Sequence, residues 1–384
     1  MDVADFIDGK SGKLLHTDRG YLAYSPNPLE PGIDLSLPIV KDLSAADRAL
    51  SELAGIARTL PNPHLLIGPF LRREAVLSSR IEGTQASFSD LLFFEAAQLG
   101  EKEIPDVREV SNYVQALEYG LARLATLPVS LRLIREIHQR LMAGVRGESK
   151  TPGEFRRSQN WIGPSGCTLN DATFVPPPVD EMQAALDSFE KYLHAPSEMP
   201  ALIRLALVHY QFEAIHPFLD GNGRVGRLLV SLLLCAEKLL PQPLLYLSSY
   251  FERYRDEYYR HLLAVSQKGE WEEWIRYFLK AVAVQSTDAI QRIDRLLALR
   301  QAYRSQVQQA RASALLLQLI DELFGFPAIT NPAVCKRMKI TPRSAQLNID
   351  KLVERGIIRE ATGRQRNRVY VASEIVGIIE RQES

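Results

Sequence analysis

Cysteine is scarce in this chain, three in 384 residues. Cys167, Cys235 and Cys335 are odd in number, far apart and outside any C-x-x-C pair. That argues against a disulfide framework or a thiolate zinc site and fits a reducing cytosol. Long apolar runs are missing too. The longest, "LLVSLLLC" from Leu228 to Cys235, is too short to span a bilayer. The opening "MDVADFIDGKSGKLL" has no apolar stretch of the secretory kind. A cytoplasmic protein with no membrane partner is expected. Neither sign of charge is in excess, with 46 Lys and Arg against 46 Asp and Glu, so any basic surface must be local. No repeat or low-complexity tract appears. The phosphate loop G-x-x-x-x-G-K-[ST] is also absent, so a nucleotide would have to be held another way.

What is present is mostly helical patterning. The first 43 residues, rich in proline ("SPNPLEPGIDLSLP"), read as an extended arm packed on something else. A helix is expected to start at a Ser44 cap and to carry Leu50, Leu53 and Ala57 on one stripe. The next is expected to open at Pro69 and close at Gly83. Ser130 is a candidate cap for a later amphipathic helix. The one clear β signal lies in "QNWIGPSG" and "ATFVPPP", which predict a hairpin. After about Arg300, "TNPAVCKRMKITPRSAQLNIDKLVERGII" reads as helix, tight turn, helix, and "REATGRQRNRVYVAS" as a small hairpin. Together these predict a winged helix-turn-helix.

The densest chemistry is in "HPFLDGNGRVGR", His216 to Arg227. Pro217 disfavours a helical His216, which therefore sits at a helix exit. Gly221, Asn222 and Gly223 tolerate left-handed backbone and can turn N–H groups inward as an anion nest. The helix that follows adds its positive end. Arg224 and Arg227 share a face of its first turn. Asp220 is a hard oxygen ligand suited to Mg²⁺ with phosphates completing the shell. His216 is the natural general base. A helix–helix turn with a glycine cap would need none of this combination.

These residues resemble the signature of the Fic family, H-x-F-x-[DE]-G-N-G-R-x-x-R, with no departure at a defined position. The resemblance covers roughly residues 32–298. It implies a mainly α fold: a Fic-type helical core with one β-hairpin flap, here followed by a C-terminal winged helix-turn-helix. It further implies transfer of AMP from ATP to a Ser, Thr or Tyr hydroxyl of a target protein. His216 would take the hydroxyl proton, Phe218 would anchor the loop, and Asp220 would hold Mg²⁺. Gly221, Asn222 and Gly223 would bind phosphate oxygens. Arg224 and Arg227, with Val225 and Gly226 between them, would grip the β and γ end. Tyr258 and Tyr259 resemble an aromatic pair at the nucleoside pocket. Asn160, Trp161, Ile162 and Gly163 resemble the flap strand beside it, whose edge could pair with an extended target segment.

"SSRIEG" is the second informative stretch. Ser78 and Glu82 share a helix face with Glu74, and Glu82 lies in the last turn, where a carboxylate opposes the helix dipole. A buried cationic partner would account for it. Ser78, Glu82 and Gly83 are similar to the family's inhibitory motif, [ST]-x-x-x-E-[GN]. The resemblance implies a contact from Glu82 to Arg227 that misaligns ATP and leaves the enzyme mostly off. In some relatives of this kind the same glutamate positions water to remove AMP.

The expected division is residues 1–104 for the arm and helices with the inhibitory motif, 105–298 for the catalytic core and 299–384 for the winged helix. From Arg300 onward there are 14 Lys and Arg against 8 Asp and Glu. Arg343, Ser344 and Gln346 would lie near the start of a recognition helix, with Arg364, Arg366 and Arg368 along the wing. DNA or protein contact through this module, self-modification and a homodimer are all open. The rival reading is a DNA-binding regulator whose central domain only senses nucleotide. A metal-dependent hydrolase built on His209 and His216 lacks further ligands at metal spacing.

Overall fold

The N-terminal arm forms a hairpin instead of an extended strap. The computed structural model describes residues 1–381 except 8, 30–32, 61–63, 98–104, 165, 309–312 and 365. In it, β1 (Gly12–His16) and β2 (Leu22–Pro26) pair antiparallel, Gly12 opposite Pro26 and His16 opposite Leu22. The turn closes through Gly20, at φ 81°, whose N–H donates to Thr17 O at 2.9 Å. That left-handed position favours glycine. The prolines downstream hid this pairing from the sequence pattern.

Helix α1 (Leu37–Thr59) starts earlier than the Ser44 expectation. Its cap is Ser36, and Pro38 follows in the first turn, a cap-then-proline start. Leu50, Leu53 and Ala57 are buried as predicted. Helix α2 (His64–Ile81) also starts early, with Pro69 inside it. Gly83 ends it at φ 94°. Helices α3 (Phe88–Ala97), α4 (Pro105–Arg123) and α5 (Leu131–Leu141) follow. Ser130 caps α5, its Oγ accepting from Leu133 N at 3.4 Å.

Then come α6 (Val179–His194), α7 (Ala201–Ile215), α8 (Asn222–Ala236), α9 (Ser248–Arg253), α10 (Arg255–Lys268) and α11 (Trp271–Gln308). Helix α7 is buried on nearly every side, its Leu205, Val208, Phe212 and Ile215 all at 1% exposure or less, as befits a central rod. Trp274 of α11 donates its indole N–H to Ala206 O at 2.9 Å. The long α11 packs along α1. The expected boundary at residue 298 falls inside α11, and the one at 104 lies outside the described residues.

The flap is smaller than predicted. It is a single bridge, Ile162 opposite Phe174, with N–H to O distances of 2.8 and 3.0 Å. Pro164 on one side and Pro176 to Pro178 on the other lack the N–H groups that would extend the ladder. β2 buttresses its base, Tyr24 N donating to Val175 O at 2.8 Å.

The C-terminal module runs α12 (Ala314–Gly325), β3 (Ala328–Ile329), α13 (Asn331–Met338), α14 (Pro342–Glu354), β4 (Arg359–Glu360), β5 (Tyr370–Val371) and α15 (Ser373–Glu380). The helix, tight turn, helix and small hairpin read from the sequence are all present, and β3 adds a third strand in the order β3-β5-β4. The module docks on α2. A Cβ on Gly68 would come within 3.0 Å of Gly325 O. Arg72 lies over the Phe326 ring at 5.3 Å. Arg292 of α11 donates to Ile379 O at 3.1 Å, closing the end of α15.

Leu53, fully buried between α1 and its neighbours, and Leu37, 81% exposed, give a paired test. Leu53→Ala is expected to lower unfolding free energy by about 2–5 kcal/mol. Leu37→Ala is expected to stay within about 0.5 kcal/mol. Urea denaturation checks both.

Candidate active site at the loop between α7 and α8

His216 caps α7 in left-handed backbone, φ 49° and ψ 60°. A non-glycine residue holds that conformation only when its surroundings impose it. Here Pro217 follows, and the His216 carbonyl accepts from Arg156 Nε at 3.0 Å and Asn160 Nδ2 at 3.3 Å. Arg156 is 1% exposed. Its Nη2 donates to Pro177 O at 2.5 Å, and its own N–H donates to Pro217 O at 2.9 Å. This one guanidinium ties the histidine turn to the flap. The His216 ring places Nδ1 3.3 Å from Glu213 O. A carbonyl can only accept, so Nδ1 carries the proton and Nε2 keeps a lone pair. Burial, reinforced by the charge of Arg156, pushes this imidazole down to about 4, leaving it neutral near pH 7.

Side-chain amides hold the rest of the loop. Asn222 accepts from Phe218 N and donates to Phe218 O, both at 2.8 Å. Asn160 donates to Phe218 O at 2.7 Å. Phe218 is fully buried and stacks on His138, with ring centroids 3.7 Å apart. His138 Nδ1 accepts from Gly153 N at 2.9 Å, so its Nε2–H donates to Asp220 O at 3.0 Å. Burial pushes His138 to about 4, which keeps that tautomer neutral.

Gly221, at φ 81°, caps α8. Asn222 and Gly223 are already helical, so Gly221 alone takes left-handed backbone in the expected nest. The first N–H bonded along the helix is that of Val225, to Gly221 O at 3.1 Å. The N–H groups of Asn222, Gly223 and Arg224 precede any intrahelical acceptor and, with the helix dipole, favour an anion. Asp220 Oδ1 accepts from Gly221 N at 2.6 Å. Its Oδ2 lies against Gly147, where a Cβ would come within 2.8 Å.

Both arginines are buried, Arg224 at 2% and Arg227 at 3% exposure. Arg224 Nη1 donates to Glu109 Oε2 at 3.1 Å. Arg227 reaches α2. Its Nε donates to Ser78 Oγ at 2.9 Å, and its Nη2 to Ser78 O at 3.0 Å and Glu82 Oε1 at 2.6 Å. The cationic partner inferred for Glu82 is thus in place. Burial works against the Glu82 charge, but Arg227 outweighs it and holds the carboxyl below its usual range. The contact needs a bare backbone opposite, because a Cβ on Gly223 would sit 2.4 Å from Glu82 Oε1. Gly226 does the same for Glu213, whose Oε1 would meet a Cβ at 2.2 Å. Burial pushes Glu213 up to about 8; Arg227 opposes this and the Glu82 charge adds to it. Near pH 7 Glu213 is therefore mostly protonated, and Glu82 is the ionised partner of Arg227.

The flap exposes Trp161 and Ile162, at 43% and 39%. Trp161 Nε1 donates to Cys167 O at 3.1 Å, and Gly163 leaves room for Cys167 Sγ, which a Cβ would approach to 2.6 Å. Asn160 lies at the base of the flap with its amide turned to the loop. The tyrosine pair divides. Tyr259 is 41% exposed, whereas Tyr258 is 1% exposed. Tyr258 stacks on Phe251 at 4.6 Å and donates to His209 Nε2 at 2.8 Å. The expectation that both rings face a nucleoside is corrected for Tyr258, which is part of the aromatic core. His209 Nδ1 donates to Gly226 O at 3.2 Å. Both its ring nitrogens are committed, which leaves no lone pair for a metal.

Sequence reasoning assigned no role to Arg156, His138, Glu109 or Glu213. "EFRRSQ" and "REIHQR" look like solvated helix or loop sequence, and only the fold buries Arg156 and His138. Glu213 carried one signal, a carboxylate three positions before the histidine on a mostly apolar helix.

Residues 40–122 match the Fic/DOC family N-terminal profile, and residues 128–234 the Fic/DOC family profile. The protein adenylyltransferase Fic of Drosophila ananassae is 30% identical over 179 residues, 46% of this chain and 32% of that protein. The Drosophila virilis protein of the same name is 30% identical over 46% of this chain and 33% of its own length. The chain spans about a third of the length of these curated relatives. Two solved structures share the fold. A Fic family protein from Desulfovibrio desulfuricans G20 gives a TM-score of 0.57 at 17% identity, covering 92% of this chain and 100% of that one. Fic-1 from C. elegans gives 0.53 at 20% identity, covering 67% and 74%. The chain belongs to the Fic/DOC family, and residues 40–234 are the part that defines it.

Proposed function

We propose that this chain is a protein adenylyltransferase that moves AMP from ATP to a Ser, Thr or Tyr hydroxyl of a target protein. The observation that carries the reading is the loop itself. A neutral imidazole with a free Nε2 stands at one end, and a helix N-terminus with two arginines stands at the other. The hydroxyl oxygen would attack the α-phosphorus as His216 Nε2 accepts its proton. The bond to the β-phosphate oxygen would break, and pyrophosphate would leave. The N–H groups opening α8 would hold phosphate oxygens. Asp220 Oδ2 fits Mg²⁺ as a lone protein carboxylate, with phosphates and water as the remaining ligands; when bound, that ion neutralises phosphate charge. The exposed Trp161–Ile162 edge would receive an extended target segment, and Tyr259 the nucleoside.

The same geometry supports an enzyme held off by its own α2. Arg227 has its Nε and Nη2 engaged by Ser78 and Glu82, and its charge answered by Glu82. A γ-phosphate would have to compete with a carboxylate already 2.6 Å from the guanidinium. Glu82 could also position water for removal of AMP. The C-terminal module is proposed as a winged helix, with Arg343, Arg364, Arg366 and Arg368 exposed. Those exposed cations are what favours the second reading, a duplex-binding regulator. Gln346 is removed from its contact set, because it is bonded to Asn331, Asp350 and Tyr370.

Three outcomes test these readings. Glu82→Gly is expected to raise labelling of the chain itself, or of lysate proteins, from α-labelled ATP by at least about tenfold, or about 1.4 kcal/mol in barrier. Equal labelling in both proteins refutes the brake. In that activated background His216→Ala is expected to lose about 10²–10⁴-fold, read from the same gel, and unchanged transfer removes His216 from the mechanism. The acidic limb of kcat/KM should lie near pH 4, because His216 must stay neutral and titrates there in the free protein. Activity falls only as pH drops through that value, so the profile stays flat from about pH 6 upward on that side. A limb centred on the ordinary histidine value of about 6.5 would contradict the burial described.

A further inference from the structure

A cavity of about 440 Å³ opens between α2, α9 and α11, and none of its lining residues belongs to the loop at His216. Its floor holds two buried guanidiniums, Arg73 at 8% and Arg292 at 1% exposure. Its rim carries Lys280 and Arg253, the latter over the Tyr254 ring at 5.6 Å. Against these four cations the lining offers one carboxylate, Asp288. Asp288 is mainly engaged by Arg292, with both oxygens at 2.7 Å, and lies 3.7 Å from Arg73 Nη1. Arg73 also donates to Ser249 Oγ at 2.9 Å. Burial, and next the charge of Arg292, push Arg73 down to about 10. Cations thus outnumber carboxylates in the lining, with Glu74 and Glu252 acting on Arg73 from outside it, and a phosphate group gains from contact with guanidiniums.

We propose that this cavity is a second ligand site, specific for a small phosphorylated anion, and that its occupant bears on α2. The phosphate would lie between Arg73 on the floor and Lys280 and Arg253 on the rim, with Tyr254 as an aromatic wall. The connection to α2 is direct. Arg73 shares that helix with Ser78, which holds Arg227. The next residue, Glu74, accepts from Ser248 N at 3.2 Å and Ser248 Oγ at 2.5 Å. Neighbouring residues of α2 thus grip the first two residues of α9, Ser248 through Glu74 and Ser249 through Arg73. Arg292 carries the same floor to the carbonyls that end α15. An anion drawing Arg73 toward the rim would pull on the helix that presents Glu82. The effect on transfer rests on the proposed brake; the binding site does not.

The test is calorimetric titration of the full chain with inorganic pyrophosphate, which needs no transfer activity. Lys280→Glu with Arg253→Glu reverses two exposed rim charges, and circular dichroism confirms that this protein folds. The site is expected to weaken at least tenfold in the rim variant and to persist in Arg227→Ala. Backbone amides of α2 are expected to exchange more slowly when pyrophosphate is bound to the wild type. Absence of binding, or equal affinity and stoichiometry in the wild type and the rim variant, overturns the site. Binding that leaves exchange in α2 unchanged overturns the connection to that helix.

Discussion

A guanidinium taken out of water must find partners, and the placement of Arg227 follows from that requirement. The desolvation of a buried charge costs several kcal/mol unless an opposite charge and hydrogen bonds replace the lost water. Ser78 and Glu82 supply both from α2. Their reach sets the neighbouring sequence. Gly223 must lack a side chain so that Glu82 can approach, and Gly226 must lack one so that Glu213 can stay beneath. Glu213, kept mostly protonated by burial, leaves Glu82 as the ionised carboxylate at that cation. The interaction that stabilises the buried arginine is therefore the same one that would deny it to a phosphate.

The loop at the other side of α8 obeys a different constraint. Its backbone groups are buried, and each needs a partner. Asn222, Asn160 and Arg156 provide them, two amides and a guanidinium in place of secondary structure. Regular structure could not hold His216 in left-handed backbone with its Nδ1 turned to a carbonyl. The side-chain bonds do so, and the Glu213 carbonyl fixes the tautomer. His138 plays a related part from α5, stacking on Phe218 while bonded to Asp220 O. The two imidazoles are both neutral and serve opposite ends of one turn.

Much of this was legible beforehand, and the pattern of what was not is physical. The motif from His216 to Arg227 was readable because its residue types make sense only together. Glu82 stood out because a carboxylate at a helix C-terminus opposes the dipole, and its partner is where the resemblance placed it. The helix–turn–helix near the C-terminus showed in its caps and spacing. The hairpin at Gly12–Pro26 did not, because proline-rich neighbours mask alternation and its face is covered by segments distant in sequence, among them α6, α7, α10 and the base of the flap. Pro69 was read as a start, yet helix continues on its N-terminal side. Tyr258 looks identical to Tyr259 in sequence, and only the packing of Phe251 and His209 separates them. Arg156 gave no sign, since a buried arginine and a solvated one are spelled the same way.

The bare backbone at Gly223 carries an implication for how such a chain can change over generations. The acid and the surface that accommodates it are encoded 141 positions apart, yet one added methyl on the accommodating side would force the acid to shift. On the proposed reading, release from restraint is open to drift at a backbone position that borders both the restraining residue and its cationic partner. The fixed glycine of the family signature at that position is then a matter of regulation as much as of folding.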